Sequence, residues 1–190
     1  MQFALINEID QREAKRIVEM YHLIYPGIRG SFYEMVKRQL QKDRTLTNCF
    51  GRKVRFMDAM GPDLYKAAYS MLPQSTVVDS LNGGLVKTYN NDWITSKQGC
   101  NIDILAQVHD SGLMQIPVEV IKDGRFAKVQ ELVYDYVSPE LSYGGRTFKI
   151  RTDAKIGKNW GGYNKETNPL GMRKCKGQSD ALAFVDSLEA

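Results

Sequence analysis

Residues 102–117 read Ile-Asp-Ile-Leu-Ala-Gln-Val-His-Asp-Ser-Gly-Leu-Met-Gln-Ile-Pro, and no other stretch constrains the fold as tightly. An apolar run climbs to His109-Asp110, breaks at Ser111-Gly112 and resumes through Leu113 and Ile116. Two β-prone runs around a Gly-containing turn predict a hairpin. At or beside its tip it holds an imidazole and a carboxylate, and a carboxylate on a stiff hairpin is well placed to hold a divalent cation. A solvated turn that happens to carry His and Asp has the same pattern, so the weight of this segment depends on its neighbours in the chain.

At 190 residues the chain fits one domain, able to bury roughly 70% of its unfolded surface. With 43% hydrophobic and 25% charged residues it reads as a soluble globular protein. No apolar run approaches the ~20 residues of a membrane span, and no signal-peptide pattern opens the chain. Cys49, Cys100 and Cys175 are odd in number and widely spaced, which argues against a disulfide framework or a zinc site and fits the cytoplasm. The net charge of +4 matters less than its distribution. Arg29, Lys37, Arg38, Lys42, Arg44, Arg52, Lys53 and Arg55 crowd one segment, and a second basic stretch runs over 146–176. Such clusters suit a phosphate-backbone binder. A solvated helix face reads the same way.

Asp10-Gln-Arg-Glu13 forms a capping box, so a helix starts near Gln11 with Ala14, Ile17, Val18, Tyr21 and Ile24 on one face. Pro26-Gly27 stops it, and a second helix carries Ile28, Phe32, Met35, Val36 and Leu40. Residues 45–48 and 54–56 make a small hairpin about Phe50-Gly51, with a basic tip. Gly61-Pro62 opens a helical region that Pro73 breaks or kinks. Residues 90–101 read as a loop, 124–137 as a helix and 161–177 as a loop. From Thr147 to Ile156 the alternation of apolar and charged residues predicts one half-buried strand. A last helix, capped by Ser179, carries Leu182, Val185 and Leu188. His22 reads as structural, and Trp93 and Trp160 as packing anchors.

Four blocks, taken in order, resemble the family A DNA polymerases. The first is Glu13-Ala-Lys-Arg with Tyr21 and Tyr25-Pro-Gly-Ile28, similar to a fingers helix ending in a Tyr-Pro-Gly turn. The second is Asn48-Cys-Phe-Gly-Arg52-Lys53, similar to a Thr-x-Phe-Gly-Arg-Arg hairpin beside the primer–template duplex, with Asn48 in place of the Thr. The third, Tyr69-Ser-Met-Leu-Pro-Gln74-Ser-Thr-Val-Val-Asp79, resembles Phe-Asn-Met-Pro-Val-Gln-Gly-Thr-Ala-Ala-Asp without a gap. The fourth is the Val-His-Asp hairpin, which resembles motif C of the palm, with Ser111 where many members carry Glu. Ile156-Gly-Lys-Asn-Trp160 is similar to the end of the palm, so the resemblance covers roughly 4–162.

The resemblance implies an α+β fold, a partial polymerase palm: one antiparallel sheet holding the 102–117 hairpin and the 147–156 strand, with long helices on one face. It implies fingers helices over 1–45, palm over 46–162 and a C-terminal extension over 163–190. Asp110 would be a metal ligand for Mg²⁺, with His109 on the primer-terminal phosphate. Gln74 would read the minor groove by donating to acceptors that every correct pair offers. Lys66, Ser70, Asn48, Arg52 and Lys53 complete the DNA contacts, and Asp79 and Asp103 could support the metal from a second layer. Two-metal phosphoryl transfer needs carboxylates from two places. The family's motif A aspartate and nucleotide-binding helix have no counterpart in this sequence. The chain therefore reads as the C-terminal portion or split subunit of a DNA-directed DNA polymerase. Its expected partners are primer–template DNA, a dNTP and a portion carrying motif A, with no membrane. A noncatalytic DNA-binding or assembly module on the same fold remains the alternative.

Overall fold

The computed structural model describes residues 2–189, which divide into two compact units between Ser75 and Thr76. The fold is mixed α+β.

The first unit opens with α1 (Gln2–Ile6) and α2 (Gln11–Ile24). Asp10 caps α2 as its sequence predicts, its carboxylate accepting the Arg12 amide N–H. After Pro26-Gly27 the backbone takes a wider π-helical path over Ile28–Tyr33 and tightens into α3 (Glu34–Asp43). Arg44 ends α3 in the left-handed region, at φ 59°, with its N–H on the Leu40 carbonyl. Strands β1 (Thr45–Thr47) and β2 (Lys53–Arg55) pair antiparallel, Leu46 opposite Val54. The core is Val36, Leu40 and Leu46 with Leu64, Ala68 and Leu72 from helix α4 (Pro62–Tyr89). The ring of Tyr69 stacks on Tyr33 at 3.9 Å.

Helix α4 runs its 28 residues without interruption, so Pro73 does not divide it. Proline removes one ladder bond and costs about 3 kcal/mol. Burial of Leu64, Ala68 and Leu72 before it, and of Leu81 and Leu85 after it, keeps both flanks helical. Each fully buried leucine contributes about 1.5–3 kcal/mol, enough to offset that loss.

The second unit holds α5 (Asp92–Thr95), β3 (Asp103–Val108), β4 (Ser111–Gln115), α6 (Val118–Lys122), α7 (Arg125–Val137), β5 (Leu141–Tyr143), β6 (Arg146–Phe148), β7 (Lys155–Ile156), β8 (Arg173–Lys174) and α8 (Gln178–Glu189). Ile94, Ile102, Val120, Phe126, Val129 and Val185 anchor its larger core. A smaller core joins Leu81, Leu85 and Val137 to Ile104 and Met114 of the β3–β4 hairpin. The chain passes very close where α4 meets α7: a Cβ on Gly84 would lie 2.6 Å from the Val137 Cα. Next to it, the Ser80 hydroxyl donates to the Val137 carbonyl at 2.8 Å.

Several expectations are corrected here. Among the described residues there is no shared sheet: the eight strands form four separate two-stranded ladders. The alternating stretch 147–156 is not one strand. Its start pairs in β6 with β5 and its end in β7 with β8. Gly144 and Gly145, both at positive φ, turn the chain back at once and capture residues 146–148 in a local hairpin. Residues 90–101 are more than a loop: Asn91 caps α5, and Ile94 is fully buried. Residues 161–177 contain β8. Ser179 lies inside α8, whose first turn is tied by the Asp180 carboxylate accepting the Lys176 N–H at 2.7 Å. Trp160 is 54% exposed, too open for a packing anchor.

Candidate functional site

In the first unit the sequence-selected residues fall on two neighbouring devices. Lys66, Ser70 and Gln74 recur every four residues along α4, all exposed, about 12 Å from end to end. They are two positions out of step with the buried Leu64, Ala68 and Leu72, which turns them to the opposite face of the helix. Lys66 stands 3.6 Å from Asp63, a surface pair of little energetic weight. The Ser70 hydroxyl donates back to the Lys66 carbonyl at 3.1 Å.

The second device is the β1–β2 turn. Gly51 takes φ 83°, a conformation that costs glycine nothing and strains other residues. Arg52 and Lys53 are exposed just beyond it, and so is Phe50. Asn48 departs from expectation. Its side chain is only 4% exposed, so it faces into the protein and cannot itself contact DNA. Its Oδ1 accepts the N–H groups of Phe50 (2.9 Å) and Arg52 (3.0 Å). Its Nδ2 donates to the Ser75 hydroxyl at 3.0 Å. Nothing local in the sequence points to Ser75 as the partner, although Asn two residues before Phe-Gly is a recognisable Asx-turn signal.

In the second unit β3 and β4 form the expected hairpin, but the turn is His109-Asp110, with Val108 opposite Ser111, and the Ser111-Gly112 break expected from the sequence lies inside β4, where Gly112 pairs with Gln107. Both turn side chains are exposed. His109 takes φ 53°, a left-handed conformation costing a non-glycine residue about 1–2 kcal/mol. The Ser111 hydroxyl donates to the Val108 carbonyl at 2.8 Å and closes the base of the turn. Below it the hairpin is seated on α4: a Cβ on Gly112 would stand 3.0 Å from the Leu85 Cδ2, close enough that the leucine tip would have to give by a few tenths of an ångström. The carboxylate is thus exposed at the end of a strand pair whose other end is sunk in a core.

Asp110 is one carboxylate, and among the described residues no group of three His, Cys, Asp or Glu side chains is arranged to hold a metal ion. The donor set fits part of a shared cation site and does not make a complete one. Asp103 cannot assist from a second layer. It lies at the far end of β3, opposite Gln115 and about 20 Å along the strand from the turn. Asp79 is half-buried on α4. His22 is half-buried beside the Tyr21 and Tyr33 rings, and burial, aided by Arg29, holds its pKa below the ordinary histidine value. Burial raises the Tyr69 hydroxyl. The Lys37 ammonium donates to Glu34 and lowers that carboxyl. None of the described helices is long and apolar enough to cross a membrane.

No family model matches the chain, and no curated protein is similar to it in sequence. Among solved structures it is similar to the POL domain of Pol1 from M. smegmatis, which was solved in complex with DNA primer-template and dNTP. The TM-score is 0.54 at 23% identity, over 70% of this chain and 23% of that one. The chain therefore spans less than a quarter of the length of the protein it resembles. At that identity the likeness concerns fold, and the fold is that of part of a polymerase domain.

Proposed function

We propose that this chain supplies the motif C carboxylate and part of the primer–template grip of a family A DNA-directed DNA polymerase. It would work with a further portion that carries the second aspartate and the nucleotide-binding helix. The observation that carries the reading is the β3–β4 hairpin, a two-residue turn that exposes His109 and Asp110 on a strand pair seated by Gly112 and Leu85. A carboxylate needed only for solubility has no use for a strained, rigid mount. The polymerase-type fold supports the same conclusion.

In this reading Asp110 contributes one oxygen ligand to a Mg²⁺ site completed by the other portion. When bound, the ion would lower the cost of charge developing on the transferring phosphoryl group. The chain's own residues do the positioning. His109 donates to the primer-terminal phosphate from the first turn position. Gln74 donates to minor-groove acceptors shared by all correct pairs, which checks pair shape rather than sequence. Lys66, Arg52 and Lys53 neutralise backbone phosphates.

The test is reconstitution. Alone, the chain should extend no labelled primer in Mg²⁺, since one carboxylate does not assemble the two-ion site. Mixed with a polymerase portion that carries the other aspartate, it should extend the primer, and Asp110→Ala should abolish extension. Equal extension by the variant would make this a noncatalytic DNA-binding module.

A further inference from the structure

We propose that Asn48 is a positioning residue: its buried amide couples the turn bearing Arg52 and Lys53 to helix α4 beside Gln74, so both engage one duplex in fixed register. The inference rests on the polymerase reading above and assigns Asn48 a role other than DNA contact.

The chemistry is specific to an amide. Two backbone N–H groups, those of Phe50 and Arg52, converge on Oδ1 at 2.9 and 3.0 Å, which makes that atom the oxygen. The other end is then the nitrogen, and it donates to the Ser75 hydroxyl at 3.0 Å. The hydroxyl in turn lies 3.4 Å from the Leu72 carbonyl, so Ser75 can accept from Asn48 while donating into its own helix. Backbone bonds close the turn around the same residue, from the Asn48 N–H to the Arg52 carbonyl and from the Gly51 N–H to the Asn48 carbonyl. Arg52 therefore cannot shift without pulling on Asn48, and Asn48 is held by the residue that follows Gln74. A threonine, which the resemblance places here, carries one hydroxyl on a shorter stem and cannot replace both ends of the amide. The bond spans 27 residues of sequence, and it joins two of the surfaces through which this unit would touch DNA.

The experiment measures affinity of the purified chain for a fluorescent primer–template duplex across salt, with urea unfolding of every variant. Ser75→Ala is the decisive variant, because it leaves the bonds within the turn intact and removes the link along with only the long 3.4 Å contacts of Ser75 to Leu72 and Met71 in its own helix. It should weaken binding by roughly threefold to tenfold, the effect of one hydrogen bond. The salt slope should not change, since no phosphate contact is lost. Ser75→Thr, which keeps the hydroxyl, should restore affinity. The double variant Asn48→Ala, Ser75→Ala should bind no worse than Asn48→Ala alone, because both substitutions cut the same link. Arg52→Ala and Gln74→Ala serve as controls. If they weaken binding and Ser75→Ala does not, or if Ser75→Ala lowers only the unfolding midpoint, Asn48 merely stabilises the fold and the proposal fails by itself. Multiplicative effects of Asn48→Ala and Ser75→Ala would also overturn it. If neither control weakens binding, the duplex reading fails and the coupling falls with it.

Discussion

The molecule has two hairpins with exposed, chemically marked turns, and they are built on opposite principles. In the β1–β2 turn the positive φ falls on Gly51, and a buried amide satisfies the inner N–H groups. Nothing there is strained, and the turn presents Arg52 and Lys53. In the β3–β4 turn the positive φ falls on His109, an L residue, with a single hydroxyl bond from Ser111 across its base. On the proposed reading, the cations of the first turn grip a flexible phosphate backbone and need only a stable platform. On the same reading, a carboxylate that meets a cation and a reacting phosphate needs its direction specified to a fraction of an ångström, and strain at the neighbouring position would be tolerated for that.

The largest effect should separate the two turns by the parameter they move. In the reconstituted enzyme Asp110→Ala should lower the extension rate at saturating DNA by about 10²–10³ or more, leaving duplex affinity nearly unchanged. Rapid-quench kinetics alongside anisotropy would show it, and a variant that lost affinity at an unchanged rate would break the contrast. Next comes the close packing of α4 on α7, beside the small core under the second hairpin. Gly84→Ala should destabilise by about 3 kcal/mol, because the added methyl would enter the backbone of Val137. A urea midpoint equal to that of the parent would show that the helices can separate without cost.

Smaller and of opposite sign, His109→Gly should stabilise the folded chain by about 1 kcal/mol, since glycine takes this φ without strain. The same variant should extend primers more slowly, having lost both the imidazole and the rigid tip. A loss of stability would mean that His109 is held by contacts rather than strained by the turn. The smallest effect belongs to the first turn. Arg52→Ala and Lys53→Ala should each shallow the salt dependence of duplex binding by about one unit. An unchanged slope would return these residues to the solvated surface.

Local patterns were legible wherever the determining contact is near in sequence. Asp10 and the 3.6-residue period define α2, and Pro26-Gly27 ends it; the hairpin around His109-Asp110 is legible too, but its turn lies two residues before the Ser111-Gly112 break that the apolar pattern marks. The stripe of Lys66, Ser70 and Gln74 follows from spacing alone once the segment is helical. Residues 147–156 show where this logic stops. Their alternation is real, yet the Gly144-Gly145 turn captures the first residues and β8 the last, so a run suited to one strand is divided between two ladders. Pairing partners are a property of the folded chain, and hydrophobic periodicity carries no record of them.

The sequence by itself determined the longer helices, the Asp10 cap and the two hairpins with their exposed His109-Asp110 and Arg52-Lys53, because these depend on backbone conformation over a few residues. Only the tertiary structure decided that α4 continues through Pro73, since buried leucines on both flanks outweigh one lost ladder bond. It likewise decided that Asn48 turns inward. Alone, the Asn48 side chain could cap its own turn or reach a phosphate. Ser75, 27 residues away, supplies the acceptor that makes the buried arrangement the better satisfied one.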